Sequence, residues 1–133
     1  MNSTAFCFGL KPFVVVVLLV CTVGLAVSSI PGTQLSGEEI KKLLTGNTIH
    51  GVWGSTEYFQ FFNSNGTTLY QAVGHSADQG TWSVNTTQYC SRWGGAPSCY
   101  DLYQDGKKLL WAVSSATYYS SEVLVGNQLP KAK

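Results

Sequence analysis

The chain has 133 residues, of which 44% are hydrophobic and 11% are charged, and its formal net charge is +1. A balance this close to neutral excludes the strongly basic surface of proteins that bind nucleic acid or anionic lipid by charge. The part after residue 28 is long enough for one domain with one modest core.

The N-terminal segment has the layout of a signal peptide. Residues 13–27 are uncharged and rich in Val and Leu, and Lys11 supplies positive charge before them. Ala26 and Ser28 then give the small-x-small pattern that signal peptidase recognises. We predict a cleaved signal peptide over 1–28, export to the periplasm or the extracellular space, and no stable membrane insertion after cleavage. An uncleaved membrane anchor is the alternative, although a spanning helix needs about 20 apolar residues.

A short helix follows the signal peptide. Residues 36–39, Ser-Gly-Glu-Glu, form a capping box. Ile40, Leu43 and Leu44 follow at helical spacing, so a helix over 37–45 is expected, with an apolar stripe that must pack on something. The predicted organisation is a signal peptide at 1–28, a linker at 29–35, a single β domain at 36–126 and a loose C-terminal tail at 127–133.

The rest of the chain predicts β structure, because short segments rich in aromatic and β-branched residues alternate with turn signals. The predicted strands are 48–53, 57–62, 67–73, 80–84, 88–93, 97–104, 107–113 and 117–125. Short connections favour an antiparallel meander of about eight strands. Closing it into a small lipocalin-like barrel would remove its exposed edges, and the helix would then cover one end. A flatter sheet or a two-sheet sandwich is the alternative.

Two dipeptides, Asn65-Gly66 and Asp105-Gly106, suit two-residue hairpin turns. Such turns would set four pairs opposite each other: Phe62 with Leu69, Phe61 with Tyr70, Leu102 with Leu109 and Tyr100 with Trp111.

A third turn, Gly94-Gly95, would place Cys90 opposite Cys99. Counted from this turn, the two cysteines form a non-hydrogen-bonded pair, where side chains come closest. An even pair of cysteines in an exported domain predicts a disulfide. It would lie on the face opposite to the expected core face, which carries Tyr100, Leu102, Leu109 and Trp111.

Several of these features together resemble a known family. They are the segment from Leu35 to Thr48, Gly80-Thr81-Trp82, Cys90-x-x-Trp93, Cys99-Tyr100 and Asp105-Gly106. The chain resembles, over residues 35–113, a family of short exported proteobacterial proteins known only as a domain of unknown function. The resemblance implies export, a disulfide and a lipocalin-like or other compact β fold, and it implies no activity.

No arrangement of residues predicts catalysis. His50 and His75 are the only histidines, and His75 to Asp78 reads most simply as a polar hairpin loop between glycines. A zinc site needs three or four ligands, and a serine hydrolase needs a nucleophile held against an oriented histidine. Neither spacing is present, and no Gly-rich phosphate loop opens a helix. We therefore predict a non-enzymatic domain with no metal and no cofactor.

The unusual feature is the aromatic content, since 14 of the 17 Phe, Trp and Tyr residues follow residue 28. Each can bury about 150–250 Å², so half of them would already make a core for a domain of this size. The others cover the helix, lie on the surface, or form a ligand-binding site. The candidate ligand-binding residues are Tyr58, Phe62, Tyr70, Trp82, Trp93 and Trp111.

The function predicted from these features is binding of a small apolar or amphipathic ligand, in a barrel mouth or at an aromatic patch. The alternative is an envelope or secreted protein-interaction or inhibitor module with a filled core. The expected partner is therefore a small apolar ligand or an envelope protein, and not a nucleic acid.

Overall fold

The structure, a computed structural model, describes residues 29–131. The predicted signal peptide at 1–28 and the last two residues lie outside this range. The elements, in chain order, are β1 (Thr33–Gln34), α1 (Gly37–Leu44), β2 (Thr48–Trp53), β3 (Thr56–Phe62), β4 (Thr67–Ala72), β5 (Asp78–Val84), β6 (Tyr89–Arg92), β7 (Ser98–Asp105), β8 (Lys108–Ala112) and β9 (Tyr118–Leu124). No helix within residues 29–131 has the length and apolar content needed to cross a membrane.

The predicted barrel is confirmed. Strands β2 to β9 pair antiparallel with their sequence neighbours, and β9 pairs back with β2, which closes an eight-stranded meander. All eight predicted strands are found, and their bounds differ from the prediction by two residues at most. Closure leaves no free edge within the barrel, which is the physical reason to prefer it over an open sheet.

Helix α1 forms where its capping box predicts. The Ser36 backbone N–H donates to a Glu39 carboxylate oxygen at 2.8 Å, and the Glu39 N–H donates to Ser36 Oγ at 3.3 Å. The Ser36 N–H and the Ser36 hydroxyl both donate to the Glu39 carboxylate, and these two hydrogen bonds lower the pKa of the Glu39 carboxyl because they favour its charged form. The side chains of Ile40 and Leu44 are fully buried. The helix therefore packs its apolar stripe on one end of the barrel, here called the closed end.

The segment 29–35, predicted as a linker, contains the additional strand β1. It pairs with β7, with Thr33 opposite Gln104, and it extends the edge of β7 beyond β6. Leu35 is buried, and its N–H donates to the Leu102 carbonyl at 2.8 Å. A two-residue strand has no alternation of apolar and polar residues, so the sequence offered no signal for it.

The predicted register of the β3–β4 hairpin is wrong by one residue. Phe62 lies opposite Thr68, and Phe61 lies opposite Leu69. The loop has three residues because the Asn63 N–H donates to the Thr67 carbonyl at 2.9 Å, and Gly66 has a positive φ of 88°. This is the geometry of a turn followed by a bulge glycine, and it leaves Phe62 and Thr68 together inside the barrel.

The predicted register of the β7–β8 hairpin is also wrong, but by two residues. The turn is Gly106-Lys107, and Leu102 lies opposite Trp111 rather than Leu109. Gly106 has a positive φ of 59° and Lys107 does not have a positive φ, which fits a turn of type II′. A slip of two keeps every side chain on its face, so Leu102, Leu109 and Trp111 are buried as predicted.

The predicted disulfide is present. Cys90 lies opposite Cys99 in the β6–β7 pair, with a Cα–Cα distance of 4.1 Å. Both cysteines are on the outer face, because Tyr89 and Ser91 on either side of Cys90 point inward and are buried. The disulfide therefore lies outside the barrel interior.

The seam between β2 and β9 is reinforced by the segment that follows β9. Thr48 Oγ1 donates to the Gly126 carbonyl at 2.7 Å and accepts from the Gln128 N–H at 2.9 Å. Asn47 Oδ1 accepts from the Gly126 N–H at 3.1 Å. The first residues of the predicted tail are thus hydrogen-bonded to the start of β2.

Candidate functional site

The end of the barrel opposite α1, here called the open end, contains a cavity of about 350 Å³. Strand alternation determines which residues line it, because residues two positions apart on a strand point to the same face, and one face of each strand points into the barrel. Seven of its eleven lining residues are Trp or Tyr. The lining consists of Ile49, Trp53, Tyr58, Gln60, Tyr70, Asp78, Tyr89, Ser91, Trp93, Tyr100 and Trp111.

One wall of the cavity consists of three aromatic side chains in contact. The rings of Tyr58 and Tyr70 are stacked, with centroids 5.3 Å apart, because β3 and β4 are neighbours. Tyr70 also meets Trp93 edge to face at 6.0 Å. In this wall Tyr58 is buried, whereas Trp93 at the mouth is half-exposed.

The facing wall contains three more aromatic side chains. Trp53 meets Tyr100 edge to face at 5.5 Å, although β2 and β7 are not neighbours. Tyr100 in turn meets Trp111 at 6.5 Å. The Trp53–Tyr100 contact therefore spans part of the mouth and narrows it.

Gly80 allows Trp93 to lie against the wall. A Cβ at Gly80 would lie 2.7 Å from Cε3 of the Trp93 ring and 2.6 Å from the Arg92 carbonyl oxygen. The indole N–H of Trp93 donates to Ser91 Oγ at 3.2 Å. The missing side chain at Gly80 and the Ser91 hydroxyl together hold this exposed indole at the mouth.

The polar side chains at the floor of the cavity are hydrogen-bonded to one another. Gln60 Nε2 donates to Thr68 Oγ1 and to the Tyr89 hydroxyl, both at 3.0 Å. Burial raises the pKa of Tyr89 to about 12 and raises that of Tyr58 still further, where the neighbouring phenols add to the effect. Both phenols therefore stay neutral over the physiological pH range, and the floor carries no charge.

The structure brings four of the six predicted ligand-binding residues to this cavity: Tyr58, Tyr70, Trp93 and Trp111. Phe62 and Trp82 instead lie at the closed end, where their rings meet edge to face at 5.4 Å. Trp82 also donates its indole N–H to the Asn63 carbonyl at 2.9 Å. These two side chains do not line the cavity, because they fill the space between the floor and α1.

Sequence reasoning missed seven lining residues: Ile49, Trp53, Gln60, Asp78, Tyr89, Ser91 and Tyr100. Alternation carried a signal for some of them. Gln60 lies between Tyr58 and Phe62 on the inward face of β3, and Trp53 follows Ile49 at an even spacing on β2. Asp78 was assigned to a loop, and its place at the start of β5 opposite Tyr70 was not predictable from its neighbours.

The two histidines lie away from the cavity. His75 is exposed in the β4–β5 loop, where its carbonyl accepts from Gln71 Nε2 at 3.0 Å. His50 is on the outer face of β2, 2.8 Å from Glu57 and stacked on Phe59 with centroids 4.4 Å apart. Within residues 29–131, no three His, Cys, Asp or Glu side chains are close enough together to hold a metal ion.

A second depression, of about 510 Å³, lies on the outer face of β7 and β8 beside Ile30. It is larger than the interior cavity, but Tyr103 is the one aromatic side chain in its wall. One aromatic side chain offers fewer apolar contacts to a ligand than the seven of the interior cavity, so the interior cavity is the stronger candidate site.

Comparisons with protein-family models, with curated proteins and with solved structures give no match. The resemblance to a family of exported proteins therefore remains a prediction. The geometry of the cavity is therefore the basis on which a function can be inferred.

Proposed function

We propose that this domain binds a small apolar or amphipathic ligand in the cavity at its open end. The observation that carries the proposal is a hollow of about 350 Å³ with a mostly aromatic lining. Small-molecule sites are concave, mostly apolar and about 300–1,000 Å³ in volume. A barrel of this size either fills its interior with side chains or holds one small ligand.

The cost of leaving this space open supports a binding role. Aromatic rings that line a cavity forgo the contacts that they would make in a packed core, and such cavities destabilise a fold. A ligand that covers the rings of Tyr70, Trp93 and Trp53 would restore those contacts. The same rings are held by edge-to-face and stacked contacts, so the site is formed before a ligand arrives.

The surroundings of the mouth also favour an apolar ligand. Five of the six large apolar side chains that are exposed within residues 29–131 lie near the open end; they are Val52, Val73, Trp93, Val113 and Tyr118. We call these five residues the apolar rim. Such a rim would receive the part of an amphipathic ligand that extends from the cavity.

We also propose that the domain is exported, as its N-terminal segment and the family resemblance imply. The Cys90–Cys99 disulfide supports this, because disulfides persist in oxidising compartments and are rare in the cytosol. Mass spectrometry of the chain recovered from its natural host would test the proposal. A mature protein that begins after Ser28 or Ser29 with two fewer hydrogens than the reduced chain is the expected result.

The binding proposal is tested by titration with N-phenyl-1-naphthylamine, a neutral probe that fluoresces in apolar sites. We expect saturable binding of one probe per chain. Ser91 is buried and lines the cavity, so Ser91→Leu would fill the space and remove the acceptor of the Trp93 indole. This variant should weaken probe binding about tenfold or more, which corresponds to about 1.4 kcal/mol.

The matched control is Ser83→Leu, which makes the same change on the exposed outer face of the neighbouring strand β5. It should leave the affinity for the probe unchanged. Equal binding by both variants, or no binding by the unmodified domain, would contradict the proposal.

A protein-interaction role is the second candidate, and the apolar rim is the observation that favours it. The two candidates separate in the same experiment. Ser91→Leu should weaken probe binding, and of the rim residues it removes a hydrogen bond only from Trp93. A partner held by Val52, Val73, Val113 and Tyr118 should therefore stay bound.

A further inference from the structure

The cavity has one charged side chain, and it is negative. Of the residues that line the cavity, Asp78 alone carries a charge. It lies directly opposite Tyr70 in the β4–β5 pair, so both side chains point to the inward face. The carboxylate is exposed at the mouth, while the floor below it is neutral.

In the part of the chain that the structure describes, no cationic side chain forms a salt bridge with this carboxylate. Within residues 29–131, the one salt bridge joins His50 to Glu57 on the outer face. Arg92 directly precedes Trp93, which lies at the mouth. The Arg92 side chain is nevertheless on the outer face of β6, as is that of Cys90. The charge on Asp78 is therefore available to a ligand.

Aromatic faces stand beside the carboxylate. Asp78 precedes Gly80 by two positions on the inward face of β5, and the Trp93 ring lies on Gly80. Tyr70 and Trp93 meet at an interplanar angle of 75°, and Trp53 and Tyr100 meet at 76°. The negative faces of such rings attract organic cations.

The floor disfavours a buried anion. The two amide hydrogens of Gln60 are already donated to Thr68 and Tyr89. Burial raises the pKa of both Tyr58 and Tyr89, which shows that a negative charge at this depth is unfavourable. A carboxylate of a ligand would find no basic side chain in the lining.

We infer that the ligand is an organic cation, an amine or quaternary ammonium group attached to an apolar chain or ring. Its nitrogen lies between Asp78 and the rings of Tyr70 and Trp93, and its apolar part lies on the floor. This inference rests on the proposed binding function and adds the charge of the ligand to it.

The test compares three ligands with the same chain length but different head groups: octyltrimethylammonium, octanol and octanoate. Each is titrated against the domain loaded with N-phenyl-1-naphthylamine, and displacement gives its affinity. We expect the cation to bind about tenfold more tightly than octanol, and octanoate to bind most weakly. Added salt should reduce the preference for the cation.

Asp78→Asn should reduce the affinity for octyltrimethylammonium about fivefold to tenfold relative to the affinity of the same variant for octanol. The matched control is Asp105→Asn, which removes the same charge from an exposed position at the closed end. It should change neither affinity.

Equal affinities for the three head groups, with the probe still bound, would overturn the charge preference and leave the proposed binding function standing. A similar loss of cation binding in both Asn variants would also overturn it, because the effect would then belong to net charge. Failure of the probe to bind at all would overturn both proposals.

Discussion

The two ends of this barrel use similar aromatic residues in different ways. At the closed end, Phe62 and Trp82 pack edge to face, and Trp82 has its indole N–H satisfied by a backbone carbonyl. Helix α1 covers that end with Ile40 and Leu44, which are fully buried. Among the elements of residues 29–131 no helix covers the open end, and Trp93, with 43% of its surface exposed, lies at the edge of a cavity.

Composition alone therefore does not assign a role to an aromatic residue in a small barrel. Strand alternation points the rings inward at both ends, and position along the barrel axis decides whether they meet other side chains or open space. The closed end contributes stability through packing. The open end keeps a preformed hollow, and stability there is lower because contacts are missing.

Truncating one side chain at each end tests directly whether the two ends contribute differently to stability. Leu44→Ala should lower the free energy of unfolding by about 2–5 kcal/mol, because it opens a cavity beneath the helix. Trp53→Ala at the mouth should cost less, although it removes more atoms, since Trp53 already borders open space. Urea denaturation of the two variants measures both effects. A larger loss for Trp53→Ala would mean that the open end carries the stability.

Loss of the disulfide tests whether the outer face is independent of the cavity. The Cys90→Ser, Cys99→Ser double variant should lower the free energy of unfolding by about 2.5–3 kcal/mol, because the bond closes a loop of about ten residues. Probe binding should stay unchanged, since both cysteines face away from the interior. A loss of probe binding in the folded variant would show that the hairpin shapes the mouth.

The smallest expected effect is on stability at alkaline pH, and it involves Tyr89 in the floor between the two ends. Tyr89 contacts Phe62 on one side and Trp111 on the other, and burial raises its pKa to about 12. Between pH 10 and 12 the unfolded chain loses the phenol proton while the folded chain keeps it. The free energy of unfolding should therefore fall with rising pH in this window, by up to about 2 kcal/mol.

Tyr89→Phe should reduce this alkaline loss in urea denaturation curves recorded at several pH values, and Tyr58, whose pKa burial also raises, should account for the part that remains. Tyr118→Phe is the matched control on the exposed outer face of β9, and it should keep the loss. An unchanged slope in Tyr89→Phe would assign the alkaline sensitivity to other groups.

Much of the fold was predictable because local signals agreed with each other. The capping box at Ser36 and the spacing of Ile40 and Leu44 located the helix. The Cys90–Cys99 pair located its hairpin register, since a glycine turn and a disulfide constrain the same two strands. The other two hairpins lacked a second constraint. Whether Asn63 joins the loop before Gly66 depends on a backbone hydrogen bond, and an Asn-Gly dipeptide does not reveal it.

The candidate site was less predictable than the fold. Aromatic residues were recognisable in the sequence. Their height, meaning their position along the barrel axis, was not, and it is what separates Phe62 and Trp82 at the closed end from Tyr70 and Trp93 at the cavity. That height depends on strand stagger and on which end the helix covers, which are properties of the closed barrel. Asp78 was missed for a related reason, because the strand β5 begins two residues earlier than its apolar pattern indicates.

The seam between β2 and β9 has a consequence for how the domain folds. Every other pairing in the barrel joins strands that follow each other in the chain, so seven hairpins can form by short-range collisions. The seam must bring Thr48 to Leu124, and closing a loop of that length is entropically costly before its contacts form. We expect the seven hairpins to form first and the pairing of β2 with β9 to close the barrel last. The cavity would then form only at that final step, when the side chains of Asn47 and Thr48 form hydrogen bonds with Gly126, which follows β9.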